Sequence, residues 1–284
     1  MNRIKIITDS CSSIKIDFAK EHDIEIIPIT FMLNGTVINP LEGNIKNEEF
    51  YQMLADKVEV KTASISPGMF KEVFEKYIKE GIDVLYVSLS SGLSGSYSNS
   101  LMGKELALDE FENAKIECID SLQGGSSMAI LILKAEQFIK EGKCLKDIKE
   151  ELDQYVKKVE SIFTIGSLHH LYKGGRISLT KATLGSILRA KPIIKANEEG
   201  ILENIETHIG KKKALALMCE RVVNNIASNL IYLGYTNNEE EAKEVKERLL
   251  SLNSNLNIIL EEIDFSLACH CGPETIAIFY EKKN

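Results

Sequence analysis

The run Ile82-Asp83-Val84-Leu85-Tyr86-Val87-Ser88-Leu89-Ser90-Ser91-Gly92-Leu93-Ser94-Gly95-Ser96 reads as a strand, a tight turn and the start of a helix. Ile82–Leu89 is a continuous strand pattern, with Val84–Val87 apolar throughout and no alternation. A strand of that composition is buried on both faces, the habit of a parallel sheet. A helical pattern follows from about Tyr97 to Leu108. Reading outward, the same unit recurs. Ile4–Thr8 is a short apolar strand that runs into Asp9-Ser10, and Ile24–Phe31 is a second, rich in β-branched residues. Ser66 is placed as an N-cap with Pro67 at the first helical position. Phe70, Val73, Phe74, Tyr77 and Ile78 then mark one buried helical face that stops at Gly81. Ile116–Ile119 is a strand ending in Asp120-Ser121, Met128–Ile139 an apolar helix, and Ile148, Leu152, Tyr155 and Val159 mark a further helix. Strands alternating with helices imply an α/β domain whose mostly parallel sheet carries helices on both faces.

After about residue 160 the pattern changes. Ser161–Ile165, Pro192–Lys195, Ile201–Ile205, Ala227–Tyr235, Leu256–Ile263 and Ile276–Tyr280 read as strands. Helical patterns lie near Leu179–Leu188, Lys211–Ile226 and Glu239–Leu250. Asn197-Glu198-Glu199-Gly200 is a turn signal between two strands, hence a hairpin. The expectation is two domains. Residues 1–160 form the first, and residues 161–284 form a second α/β domain with a partly antiparallel sheet. At roughly 150 residues per domain, 284 residues fit two.

Composition narrows the function. Apolar residues are 44% and charged residues 27%, the ordinary globular mix. The net charge of −8 lacks the basic footprint of a nucleic-acid binder. No run approaches the ~18 apolar residues of a membrane span, and the N-terminus does not read as a signal peptide. The six cysteines form no Cys-x-x-Cys pair and read as reduced thiols of a cytoplasmic protein. Charge is uneven. Ser161–Leu215 carries nine Lys/Arg against four acids, which leaves −13 on the remainder. That stretch is either an ordinary solvated surface or a face for an acidic or phosphorylated partner.

In open parallel sheets ligands bind beyond the carboxyl ends of the strands. Three such ends carry hydroxyl-rich loops: Thr8-Asp9-Ser10, Ser88–Gly95 and Asp120-Ser121. Ser94 falls next to a helix N-terminus, where free N–H groups favour an anion. Thr62-Ala63-Ser64-Ile65-Ser66-Pro67 is a second such loop before a second helix. Converging, the two would make an uncharged cradle for a small anion; separately, each is an ordinary N-cap. A nucleophilic Ser94 would need Gly-x-Ser-x-Gly and an acid-oriented His. Gly92-Leu93-Ser94-Gly95 places the last glycine one residue early, and no acid stands out as partner for His270. Phosphate-loop and dinucleotide motifs are absent. Cys269-His270-Cys271, read as a strand, puts its thiols on one face and the imidazole on the other, a poor metal chelate. His169-His170 precedes Lys173-Gly174-Gly175-Arg176, read as a flexible loop with a fixed cation.

Together these segments resemble the DegV family of bacterial proteins. Ile6-Ile7-Thr8-Asp9-Ser10, Thr62–Pro67, Ser90–Tyr97, Asp120-Ser121, Lys173–Ile177 and His270-Cys271-Gly272-Pro273 match family segments in order along the chain. The resemblance implies a two-domain α/β protein without catalytic activity or cofactor, holding one long-chain fatty acid between its domains and presenting it to a separate fatty-acid kinase. It places the carboxylate contacts on Thr62, Ser94 and His270. It makes Ser66, Gly95 and Arg176 further binding-loop candidates, with Arg176 at the mouth towards the kinase. Ile165, Leu168 and Ile187 are candidate tunnel walls or, equally, ordinary core residues. Two positions depart from the family. Thr207-His208-Ile209-Gly210 precedes Lys211-Lys212-Lys213 where an Arg is usual, and Glu274 stands where a Gly is usual. The rival readings are a serine hydrolase or acyltransferase using Ser94, which a serine-reactive probe would label, and a lipid-sensing regulator that engages no kinase.

Overall fold

A computed structural model describes residues 3–178 and 190–283, apart from residues 34, 44, 57 and 59. The helix expected over Leu179–Leu188, and with it Ile187, lies outside the described residues. Four parallel strands form the first sheet in the order β2-β1-β6-β7: Ile4–Asp9 (β1), Ile24–Ile27 (β2), Asp83–Ser88 (β6) and Ile116–Asp120 (β7). Every residue of β6 is buried, in keeping with the unbroken apolar run Val84–Val87 at its centre. The second sheet has six strands in the order β10-β9-β8-β13-β11-β12, and all its pairs are antiparallel except β11–β12. They are Val159–Thr164 (β8), Ala190–Ala196 (β9), Leu202–Ile209 (β10), Ile226–Tyr235 (β11), Asn257–Glu262 (β12) and Ile276–Lys282 (β13). The fold is thus mixed α/β, with a parallel sheet and a partly antiparallel one. The β9–β10 hairpin turns at Asn197–Gly200 as expected, with Gly200 at φ +72°.

The Ser126–Lys140 helix packs against β6 and also against β8, β11 and β13. Its first seven residues are buried because it is covered by two sheets. Period-2 alternation then divides the six-stranded sheet between two cores. Phe163, Ile194, Tyr232 and Phe279 face the Ser126–Lys140 side. Ile162, Ile193, Ile231, Ile278 and Tyr280 face the Lys211–Asn225 and Glu239–Leu252 helices.

Three local readings are corrected. Ile24–Phe31 is not one strand: β2 ends at Ile27, before Pro28, which has no N–H to give a ladder. Phe31–Leu33 (β3) instead pairs with Thr36–Ile38 (β4) and Val60–Thr62 (β5) in a small antiparallel sheet. Val159 opens β8 and does not belong to the Leu145–Tyr155 helix. Cys269-His270-Cys271 closes a short helix, Phe265–Cys271, whose N-cap Asp264 accepts from Ser266 N at 2.8 Å. This helix and the small sheet bury a core of their own, with Phe31, Phe50 and Leu54 against Ala268 and Cys269. Thr62 and His270 are thereby brought to one place from positions 208 residues apart.

Candidate functional site

Two loops meet above the carboxyl ends of β1 and β6. Ser66 caps the Pro67–Ile78 helix by accepting from Met69 N at 3.3 Å. Ile65 N donates to Ser96 Oγ at 3.3 Å, and Asn99 Nδ2 donates to Ile65 O at 2.8 Å. The Thr62–Pro67 and Ser90–Ser96 loops therefore converge. Ser94 Oγ accepts from Ser96 N at 3.2 Å and lies 3.0 Å from Ser96 Oγ. It holds the first N–H of the Ser96–Leu108 helix, whose N-cap is Gly95, and its proton is free for another acceptor when Ser96 donates within the hydroxyl pair.

The acids at the strand ends act as anchors for these loops. Asp9 is fully buried and accepts from Leu89 N (2.9 Å), Tyr86 Oη (2.9 Å) and Cys11 N (3.1 Å). Burial pushes its carboxyl up to about 6 against those hydrogen bonds. Asp120 Oδ1 accepts from Ser91 N (3.1 Å) and Leu122 N (3.0 Å). Ser90 Oγ donates to Gly200 O at 2.8 Å, which ties the loop to the β9–β10 hairpin.

Against these loops the second half of the chain brings His270 and Arg176. Thr62 Oγ1 lies 2.9 Å from His270 Nε2. Burial, then the charge of Arg176 and the neighbouring His170, pushes His270 down to about 4, so its imidazole is neutral near pH 7. The His169–Arg176 stretch is not a flexible loop: His169–Lys173 is a short helix, and a turn follows with Gly175 at φ +71°. Arg176 Nε donates to Leu93 O at 3.0 Å, beside Ser94, and its Nη1 donates to Gly174 O.

Thr62, Ser94, Gly95, Arg176 and His270 all line one cavity of about 220 Å³. Its remaining polar lining is Ser64 and Ser266; its apolar walls include Ile29, Leu89, Leu93, Leu171, Leu202 and Leu267. A second cavity of about 260 Å³ adjoins it and shares Thr62, Arg176 and His270. Lys61, His169, His170 and Lys173 make this outer cavity basic. Ser66 lines neither cavity. Ile165 and Leu168 pack in the core and also line neither, because β8 and the turn after it point those side chains inward. Leu171 and Leu202 take that place, and only tertiary packing reveals them.

His270 is not part of a triad in this geometry. Its hydrogen bond goes to Thr62, and Ser94 bonds within its own loop. Among the described residues no group of three or more His, Cys, Asp or Glu side chains is placed to hold a metal. Among them, too, no helix is long and apolar enough to cross a membrane. The basic stretch is not one open face: Lys191 donates to Gly166 O (2.8 Å), Lys195 meets Glu160 (3.3 Å) and Lys211 meets Glu241 (2.5 Å), while Lys181 and Arg189 lie outside the described residues. Glu274 has φ +60°, a left-handed conformation that suits glycine.

The sequence profile of the DegV family, described as uncharacterised proteins, matches residues 3–283. A DegV domain-containing protein of Caldanaerobacter subterraneus is 31% identical over 287 aligned positions, covering 100% of both chains. The solved structure of a stearic-acid-binding protein from Eubacterium ventriosum is 27% identical, with a TM-score of 0.85 over 100% of this chain and 99% of that one. The Fatty Acid Kinase B3 protein of Streptococcus pneumoniae, solved loaded with linoleic acid, shares the fold at a TM-score of 0.85 and 23% identity, over 99% of this chain and 100% of that one.

Proposed function

This chain belongs to the DegV family, and on that premise we propose that it binds one long-chain fatty acid and presents it to a partner kinase, without cofactor or catalysis of its own. The observation that carries the reading is the convergence of Thr62, Ser94 and His270 on an apolar cavity. The stearic acid bound by the Eubacterium relative supports the ligand class. The name of the Streptococcus fold-mate supports the kinase.

In this reading residues 1–160 supply the hydroxyl loops, and residues 161–284 supply His270, Arg176 and the Leu171 and Leu202 walls. Neutral His270 in its Nε2–H tautomer donates to Thr62 Oγ1. The Thr62 hydroxyl proton is then turned towards the carboxylate. Ser94, whose oxygen is held by Ser96 N–H, donates the second hydrogen bond. The Arg176 charge favours the ionised acid. The acyl chain lies along the apolar walls, where each buried methylene contributes about 0.8 kcal/mol. Affinity therefore comes chiefly from the chain, and the head group fixes which end faces the mouth. The site of action is the cytoplasm.

Arg176 separates holding from delivery. Its guanidinium stands at the boundary of the inner and outer cavities, and a rim charge acts mostly on encounter. Arg176→Ala is expected to keep fatty-acid affinity within a few-fold and to lower the yield of acyl phosphate made by a fatty-acid kinase from the bound acid. Loss of the lipid itself would make Arg176 a head-group ligand; unchanged turnover would remove it from delivery.

A further inference from the structure

Resting on the head-group reading above, we propose that His170 is a positioning residue for His270, and that the two imidazoles are seated reciprocally, each over a glycine of the other's segment. Gly174 ends the His169–Lys173 helix at an ordinary φ of −74°. No backbone strain requires a glycine there. A Cβ at that position, however, would lie 2.4 Å from His270 Nδ1 and 3.1 Å from its Cε1. Gly272 ends the Phe265–Cys271 helix at φ +74°. A Cβ there would lie 2.4 Å from His170 Cδ2 and 3.0 Å from its Nε2. Each ring thus occupies the space that a side chain on the opposite segment would fill.

The two helices have five and seven residues, too short to hold their own geometry. They are in contact with each other. The interlock supplies the rigidity that their length denies them. It sets the height of the Phe265–Cys271 helix at which His270 Nε2 reaches Thr62 Oγ1. It also links the Gly174-Gly175-Arg176 turn to the head group, because Arg176 Nη1 is bonded to Gly174 O. Both rings are held below their ordinary pKa, chiefly by burial, as packing against backbone requires. The charged and titratable groups around His270 are Arg176 and His170, with Lys61, Lys173 and His169 on the same outer cavity and Cys271 next to it in the chain.

His170→Ala and His170→Phe test this in delipidated protein, with the His270 Cε1–H titrated by NMR and oleate affinity measured beside it. Both variants remove the His170 charge, but only phenylalanine keeps a flat ring on Gly272. The expected result for His170→Ala is a His270 titration that moves up from about 4 towards the ordinary ~6.5, with oleate affinity falling about fivefold or more. His170→Phe is expected to keep the larger, burial-driven part of the lowering, losing only what the His170 charge adds, and to restore affinity to within about twofold. An alanine variant that matches the wild type, or a phenylalanine variant that matches alanine, overturns the positioning role. The titration is read without ligand, so it decides this role even if the wild type binds no fatty acid, an outcome that would sink only the head-group reading.

Discussion

Thr62→Ala will weaken the binding of a long-chain fatty acid by about 10- to 100-fold, because a hydrogen bond to a charged group contributes roughly 1.5–3 kcal/mol. Ser94→Ala is expected to do the same by the same route. The two hydroxyls come from loops joined through Ser96 and Asn99, so each can be removed without dismantling the other. The matching fatty alcohol has no charge to lose and will weaken much less in either variant. Calorimetric titration of the acid and the alcohol into delipidated protein makes the comparison. Equal losses for acid and alcohol would remove the carboxylate from these residues. For Thr62 a second consequence follows from its partner. Without Oγ1, the His270 Nε2 loses the only hydrogen-bond partner given to it among the described residues, and its titration will shift even in the empty protein.

The largest effect on stability is expected at Asp9. Its carboxylate holds two backbone N–H groups and the Tyr86 hydroxyl in a site with no access to solvent. Asp9→Ala leaves three buried donors without an acceptor, at about 1–3 kcal/mol each. Chemical denaturation at pH 5 should show a loss of several kcal/mol. The pH dependence has a definite sign. Burial raises the folded carboxyl to about 6, above its ordinary value near 3.8. The stability it confers is therefore full below about pH 4 and declines as pH rises through 6. The gap between wild type and Asp9→Ala will narrow over that interval. A gap that widened with pH would mean that Asp9 is held as a charged acceptor. Because Leu89 N is one of the three donors, the variant also releases the start of the Ser90–Ser96 loop, and fatty-acid binding will fall with it.

Much of this architecture is legible in the residues. The apolar run Val84–Val87 within β6 announces a strand covered on both faces, and Ser66-Pro67 marks a helix start that the structure reproduces to the residue. Strand ends followed by Ser- and Gly-rich loops mark the end of the sheet where the cavity lies. The small sheet that delivers Thr62 could not be read, since its strands have three residues each and show no period. Pro28 was the available signal that the strand after Ile24 had to end. The Phe265–Cys271 helix is too short for its period to show, although Asp264 before it and Gly272 after it are helix boundaries. The approach of His270 to Thr62 and the seating of His170 depend on that helix. The anchoring roles of Asp9 and Asp120, and the wall residues Leu171 and Leu202, depend on contacts between segments far apart in the chain, which no local pattern encodes.

Native mass spectrometry of the protein as purified shows whether the cavity between the hydroxyl loops and His270 holds a fatty acid non-covalently. The expected result is one adduct per chain with the mass of a single long-chain fatty acid, lost when the protein is denatured. A chain that carries no lipid and takes up none when offered would contradict it, as would an acyl group that stays on Ser94 after denaturation.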